Sequence, residues 1–97
     1  MTDTPQGWSK QNNKLLLVVA CKDFTHALAL LNSIADIAES LGHHPDLTLK
    51  NYNQVSIAST THSSGGLTEK DYALAKKIND LLHYQSTKLH IQKHGRD

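Results

Sequence analysis

Three histidines stand where their side chains could share one site. His43 and His44 are adjacent and come directly before Pro45, whose fixed φ makes a rigid corner. His62 follows a short alternating stretch that predicts a strand. In an antiparallel hairpin the start of one arm lies near the end of the other, so we expect the corner with His43 and His44 to lie near His62. Histidine is the side chain whose ordinary pKa lies near neutrality, so three imidazoles around one cleft predict proton-transfer chemistry.

The chain holds seven histidines against five aromatic rings of Phe, Trp and Tyr. Scattered surface histidines are the competing interpretation, and it applies best to the four without a partner pattern: His26, His83, His90 and His94. Three histidines can also hold a catalytic zinc. Neighbouring side chains on an extended backbone diverge, however, so His43 and His44 are poorly placed to bind one ion. We therefore predict no metal site.

Composition excludes several other classes. The net charge is +1 with neutral histidines, so no strong field exists to recruit nucleic acid or an anionic membrane. The longest apolar run, from Leu15 to Cys21, has seven residues, far short of the roughly 20 needed to span a bilayer. Cys21 is the only cysteine, which excludes an internal disulfide, and no signal peptide opens the chain. We expect a soluble cytoplasmic protein.

The elements that would position the histidines follow from periodicity. A hairpin is predicted from Trp8 through the run at Leu15, and a second joins the stretches that start at Leu47 and Val55. Two helices are predicted, and the second runs from about Glu69 to Leu82. It begins with a capping box in which Asp71 replaces the usual Glu or Gln. The fold prediction is one α+β domain over residues 1–97, in the order β-β-α-β-β-α, with both helices on one face of an antiparallel sheet and loose tails at 1–7 and about 88–97.

The first helix carries the clearest pattern. Asp23 stands at its N-cap position and Gly42 is placed as its C-terminal stop. Leu30 and Ile37 fall outside the main apolar stripe, and we expect them either to face another subunit or to widen the core face. The predicted core stripe consists of residues at three- and four-residue spacing: Phe24, Ala27, Leu28, Leu31, Ile34, Ala35, Ala38 and Leu41.

The stretch from Glu39 to Ile78 resembles the pterin-4a-carbinolamine dehydratases, also called 4a-hydroxytetrahydrobiopterin dehydratases. The matching pieces are Glu39-Ser40-Leu41-Gly42-His43-His44-Pro45-Asp46, Tyr52-Asn53-Gln54-Val55, Thr61-His62-Ser63-Ser64-Gly65-Gly66-Leu67-Thr68-Glu69-Lys70-Asp71 and Leu74-Ala75. Their order and spacing are highly specific, and weaker matches at Trp8 and Lys22-Asp23-Phe24 extend the likeness over nearly the whole chain to about Leu82.

The resemblance implies a homodimer or homotetramer that eliminates water from a 4a-hydroxytetrahydropterin to give quinonoid dihydropterin, with no metal or organic cofactor. By the family pattern His43 and His62 match the acid–base residues, and Glu39 matches a carboxylate that supports them. His44 matches a pterin-binding residue, and Thr61 is as compatible with a strand residue as with a ligand contact. Pro45 and Asp71 are supporting residues. Asp71 matches a recurrent aspartate of the family, for which the helix cap is the structural alternative.

Two departures from the family accompany the match. Six residues separate Pro45 from Tyr52 where much of the family has five, which predicts a bulge or longer bend in that strand. Leu47 stands where animal members carry a tryptophan, which would alter one wall of the pocket.

Because the family also includes non-enzymatic members, an assembly factor for ribulose-bisphosphate carboxylase or a dimerisation cofactor of a transcription factor is the alternative function. The presence of all three histidines favours the enzyme.

Overall fold

The computed structural model describes the backbone of residues 3–94 and the side chains of residues 3–83. Its elements confirm the predicted order β-β-α-β-β-α, with one short 3₁₀ turn before the last helix. In chain order they are β1 (Ser9–Gln11), β2 (Lys14–Ala20), α1 (Phe24–Leu41), β3 (Asp46–Lys50), β4 (Gln54–Ser59), the 3₁₀ turn (His62–Ser64) and α2 (Glu69–His94).

The four strands form one antiparallel sheet in the order β1-β2-β4-β3. Leu15 and Leu17 of β2 and Val55 and Ile57 of β4 are buried and alternate with more exposed residues, as expected when one face of a sheet is covered. Both helices cover that face, and their buried residues complete the core: Ala27, Leu30, Ile34, Ala38, Leu74, Ala75 and Ile78. The site lies at one end of this layer, where α1, β4 and α2 meet.

Of the bulge or longer bend predicted between Pro45 and Tyr52, the bulge is not found. β3 pairs with β4 without interruption from Asp46 opposite Ala58 to Lys50 opposite Gln54. The chain reverses at residues 51–53, where Asn51 and Tyr52 take φ values of 52° and 58°. A bulge would place two residues of β3 opposite one of β4, and the regular register leaves no such mismatch.

Both predicted ends of α1 are confirmed. Asp23 caps the N-terminus, since its Oδ1 accepts the backbone N–H of His26 at 2.8 Å. At the other end Gly42 takes the left-handed φ of 65°. The N–H of Gly42 then donates to the carbonyl of Glu39, and that of His43 to the carbonyl of Ala38. This Schellman arrangement fixes the direction in which the chain leaves the helix and so places His43.

The predicted core stripe of α1 is partly wrong. Leu30, expected outside it, is only 4% exposed, and Ile37 is half-buried against the core. Phe24 and Leu28, expected inside, are 50% and 41% exposed. The buried stripe is therefore rotated toward Leu30 and Ile37, so these two residues widen the core face. A helix with leucine on several sides fits more than one orientation, and only its neighbours select one.

The second helix continues beyond its predicted end near Leu82 and reaches His94. Residues 83–94 contain neither Gly nor Pro, so no residue there forces the helix to stop. Of the predicted tails, residues 1–2 and 95–97 lie outside the described residues. Next to the first of these tails, the Pro5 carbonyl accepts the Trp8 N–H at 3.0 Å and the Trp8 indole N–H donates to the Asn79 side chain at 2.9 Å.

Candidate active site

The carboxylate of Asp71 is the centre of the site. It lies in the first turn of α2, is fully buried, and accepts four hydrogen bonds. Its Oδ1 binds His43 Nε2 at 2.7 Å and the Ser59 hydroxyl at 2.6 Å. Its Oδ2 binds the Thr61 hydroxyl at 2.7 Å and the backbone N–H of Thr68 at 2.9 Å. One buried side chain thus joins the α1–β3 corner, the end of β4 and the start of α2.

The bond between Asp71 and the Thr68 N–H is the reciprocal half of the predicted capping box. Thr68 also accepts the Lys70 N–H on its hydroxyl oxygen, at 3.3 Å. The capping alternative for Asp71 is therefore confirmed. The same carboxylate binds His43 as well, so Asp71 both caps α2 and belongs to the site.

The proton positions follow from the donor inventory. A hydroxyl has one proton, and Thr61 gives its proton to Asp71, so Thr68 must donate in the 2.8 Å contact between the two threonine hydroxyls. An ionised carboxylate only accepts, so His43 must carry its proton on Nε2. In the neutral ring Nδ1 is then the nitrogen with a free lone pair.

Two opposing effects act on the pKa of Asp71. Burial disfavours the charged form and raises the pKa, but the hydrogen bonds from Ser59, His43, Thr61 and the Thr68 backbone together outweigh burial. The net result is a pKa below the ordinary value for aspartate. Asp71 is therefore an anion at neutral pH, which its role as a pure acceptor requires.

His43 stands between this buried anion and an open cavity. Its side chain is 11% exposed and lines a cavity of about 220 Å³ together with Leu41, Glu69, Lys70 and Ala73. A second cavity of about 440 Å³ is lined by Thr61, Ser63, Ser64, Thr68, Glu69 and Lys70. Glu69 and Lys70 line both cavities, so the two lie side by side at the N-terminus of α2.

The structure pairs Glu39 with His44 and not with His43. Glu39 Oε2 lies 2.6 Å from His44 Nε2, and the side chains of the two residues are 76% and 63% exposed. Glu39 was predicted to support the acid–base histidines, and His44 to bind the pterin. Pro45 follows His44 directly and leads the chain into β3.

Thr61 and His62, which follow the end of β4, differ in their burial and contacts. Thr61 is 8% exposed and forms backbone hydrogen bonds in both directions with Gly66, which close the loop of residues 62–65. His62 begins the 3₁₀ turn within that loop and is exposed. The structure therefore brings His43, Thr61 and Asp71 together, whereas His62 lines neither cavity, although Thr61 and Ser63 on either side of it line the larger one.

The sequence interpretation missed Ser59. It follows Val55 and Ile57 on the inward face of β4 and is fully buried. A serine at an inward position of a strand needs a hydrogen-bond partner, and that position in the alternation is the signal that would have found it. Among residues 3–83, every buried side-chain nitrogen and oxygen has a partner, so the polar centre is fully satisfied.

Among the described residues, no group of three or more His, Cys, Asp or Glu side chains is placed to hold a metal ion. No helix within the described part of the chain is long and apolar enough to cross a membrane.

The chain is a small α+β domain in which a buried aspartate holds a histidine at the edge of a cavity. The family model described as pterin 4 alpha carbinolamine dehydratase matches residues 1–81. The chain therefore belongs to this dehydratase family, as the resemblance predicted.

Relatives and solved structures agree with this assignment. The chain is 44% identical over 75 residues to a protein of Thermomicrobium roseum named "Putative pterin-4-alpha-carbinolamine dehydratase", covering 77% of this chain and 80% of that protein. A protein of Sulfolobus acidocaldarius with the same name is 46% identical over 76 residues, covering 78% of this chain and 82% of that protein.

Two solved structures share the fold. One is a transcriptional coactivator/pterin dehydratase from Brucella melitensis, with a TM-score of 0.71 and 35% identity over 77% of this chain and 81% of that one. The other is a pterin dehydratase-like protein described as a RuBisCO assembly factor in the alpha-carboxysome, with a TM-score of 0.66 and 21% identity over 81% of this chain and 93% of that one. The second likeness shows the fold alone.

Proposed function

We propose that this protein is a hydro-lyase that removes water from a 4a-hydroxytetrahydropterin and gives the quinonoid dihydropterin. The observation that carries the proposal is His43, which the buried anion Asp71 holds by Nε2 at the edge of a cavity. Membership of the dehydratase family supplies the class of reaction. In this elimination the electron pair of the ring N–H forms the C=N bond to C4a while the C4a–O bond breaks, and a held imidazole supplies the accompanying proton transfers near neutral pH.

His43 is the proposed general base. Elimination needs a base for the proton of the ring nitrogen next to C4a and an acid for the departing hydroxyl. With its proton on Nε2 facing Asp71, the neutral ring offers the lone pair of Nδ1. Asp71 keeps the ring in this tautomer and stabilises the imidazolium that forms when Nδ1 takes the proton.

His62 is the proposed acid. It is exposed, and its neighbours in the chain, Thr61 and Ser63, line the larger cavity. A protonated imidazole there would give its proton to the leaving oxygen, which departs as water. Both rings return to their starting states when the base passes its proton to solvent and the acid regains one, so no oxidant or reductant is consumed.

Loss of the 4a-hydroxyl, followed by ultraviolet absorbance, tests the proposal. The purified protein should accelerate this loss, and His43→Ala should lower kcat by about 100-fold or more, the usual contribution of a positioned acid or base. His62→Ala should lower kcat in the same range. His83→Ala is the matched control and should leave kcat unchanged, because His83 is an exposed histidine of α2 ten residues beyond Ala73, the last described residue of that helix to line either cavity.

A protein-binding role is the second candidate. The Brucella melitensis relative is described as both a coactivator and a dehydratase, and the carboxysome protein as an assembly factor. In this chain Phe24 and Leu28 expose apolar surface along α1, which suits contact with another protein or another copy of the chain. Absence of turnover, together with recovery of one stoichiometric partner, would favour this candidate over the dehydratase.

A further inference from the structure

Of the four residues that donate to Asp71, Ser59 alone lines neither cavity. Its side chain is fully buried. Thr61, by contrast, lines the larger cavity, and His43 lines the smaller one. A residue in this position has no access to substrate, so any effect it has on the reaction must pass through Asp71.

Ser59 shares its acceptor atom with His43. Both bind Asp71 Oδ1, the hydroxyl at 2.6 Å and the imidazole at 2.7 Å, while Thr61 and the Thr68 N–H bind Oδ2. The bonds to Oδ2 hold one end of the carboxylate. Ser59 holds the other end, and the position of that oxygen determines where the His43 ring can lie.

We propose that Ser59 is a positioning residue for His43, acting through the shared Oδ1 of Asp71. The part of this inference that concerns turnover rests on the proposed dehydratase function. Without the hydroxyl, the carboxylate can rotate about its Cβ–Cγ bond, and the His43 ring follows it away from the reactive orientation. Small displacements of a catalytic group are enough to slow a reaction.

Ser59→Ala is the test variant, and its control is Ser56→Ala on the opposite face of β4. Ser59→Ala leaves Oδ1 with its bond to His43, so no buried acceptor is stranded. We expect kcat to fall about tenfold, the effect of losing a hydrogen bond to a charged group, while KM stays within about twofold because Ser59 touches no substrate. In an Asp71→Asn background Ser59→Ala should have no further effect on kcat.

Exchange of the His43 Nε2 proton, measured by NMR, provides a readout that does not depend on turnover. This proton should exchange about tenfold faster in Ser59→Ala, because the bond to Oδ1 opens more often. If Ser59→Ala fails to fold, Ser59→Cys, with a similar volume and a weaker donor, should show both effects to a smaller degree.

The outcomes separate the two proposals. Wild-type protein without turnover would overturn the dehydratase, while the ring-proton measurement would still decide the role of Ser59. An unchanged exchange rate in Ser59→Ala, or equal losses of kcat in the wild-type and Asp71→Asn backgrounds, would overturn the positioning role.

Discussion

Two histidine–carboxylate pairs flank the same turn at the end of α1, and the nitrogen–oxygen distances within them are nearly the same. His43 and Asp71 are 2.7 Å apart, and His44 and Glu39 are 2.6 Å apart. The side chains of the first pair are 11% and 0% exposed, and those of the second are 63% and 76% exposed. Distance alone therefore does not distinguish a pair that fixes a ring from one that water can replace.

The difference lies in what else the carboxylate binds. Asp71 is held by three further donors, whereas Glu39 extends from the last turn of α1 into solvent. Exposed ion pairs contribute little, because water competes for both partners and two long side chains must be ordered. A buried carboxylate with four donors has no competing solvent, and its loss leaves those donors unpaired.

Of the changes that test this comparison, Asp71→Asn should lower the free energy of unfolding the most. If the new amide NH₂ takes the place of Oδ2, it faces the Thr68 N–H, which cannot become an acceptor. If it takes the place of Oδ1, it faces Nε2 of His43, which must then move its proton to Nδ1. Either arrangement should lower the free energy of unfolding by about 2 kcal/mol, measured by urea denaturation.

If Asp71→Asn lowered the free energy of unfolding by less than about 0.5 kcal/mol, the buried pair would contribute no more than an exposed one, contrary to this comparison. The tautomer of His43, read from its ring nitrogen chemical shifts, identifies which arrangement the amide takes. A switch of the proton to Nδ1 should abolish the proposed base without unfolding the protein.

The second prediction concerns pH. Because the pKa of Asp71 is lowered in the folded protein, its ionised form stabilises the fold. This contribution is fully present above the unfolded-state pKa of about 3.9, and it is lost as pH falls through the lower folded-state value. The stability difference between wild type and Asp71→Asn should therefore shrink below about pH 4. A difference that stays constant from pH 6 to pH 3 would show that Asp71 does not act as an anion.

The smallest effect is expected at the exposed pair. Glu39→Gln should change the free energy of unfolding by less than about 0.5 kcal/mol, since water replaces the lost contact with His44. Raising the salt concentration should remove even this difference, because exposed charges are screened. A loss equal to that of Asp71→Asn would mean that burial does not separate the two pairs.

The strongest sequence signals were local, and the structure confirms them. The alternation in the hairpins, Asp23 as the N-cap, Gly42 as the stop and the capping box at the start of α2 each depend on residues only a few positions apart. The buried face of α1 was only partly predicted. Leucines lie on several sides of that helix, and the packing of β4 and α2 selected Leu30 over Phe24 and Leu28.

The sequence by itself determined the order of the elements, the family and the three histidines worth testing, because turn residues, hydrophobic periods and motif spacing are properties of neighbouring positions. The tertiary structure decided which carboxylate meets which histidine. Asp71 is 28 residues from His43, whereas Glu39 is only five residues from His44. Only the packing of α2 against the end of β4 brings Asp71, Ser59 and His43 to one point, and burial there gives the contact its strength.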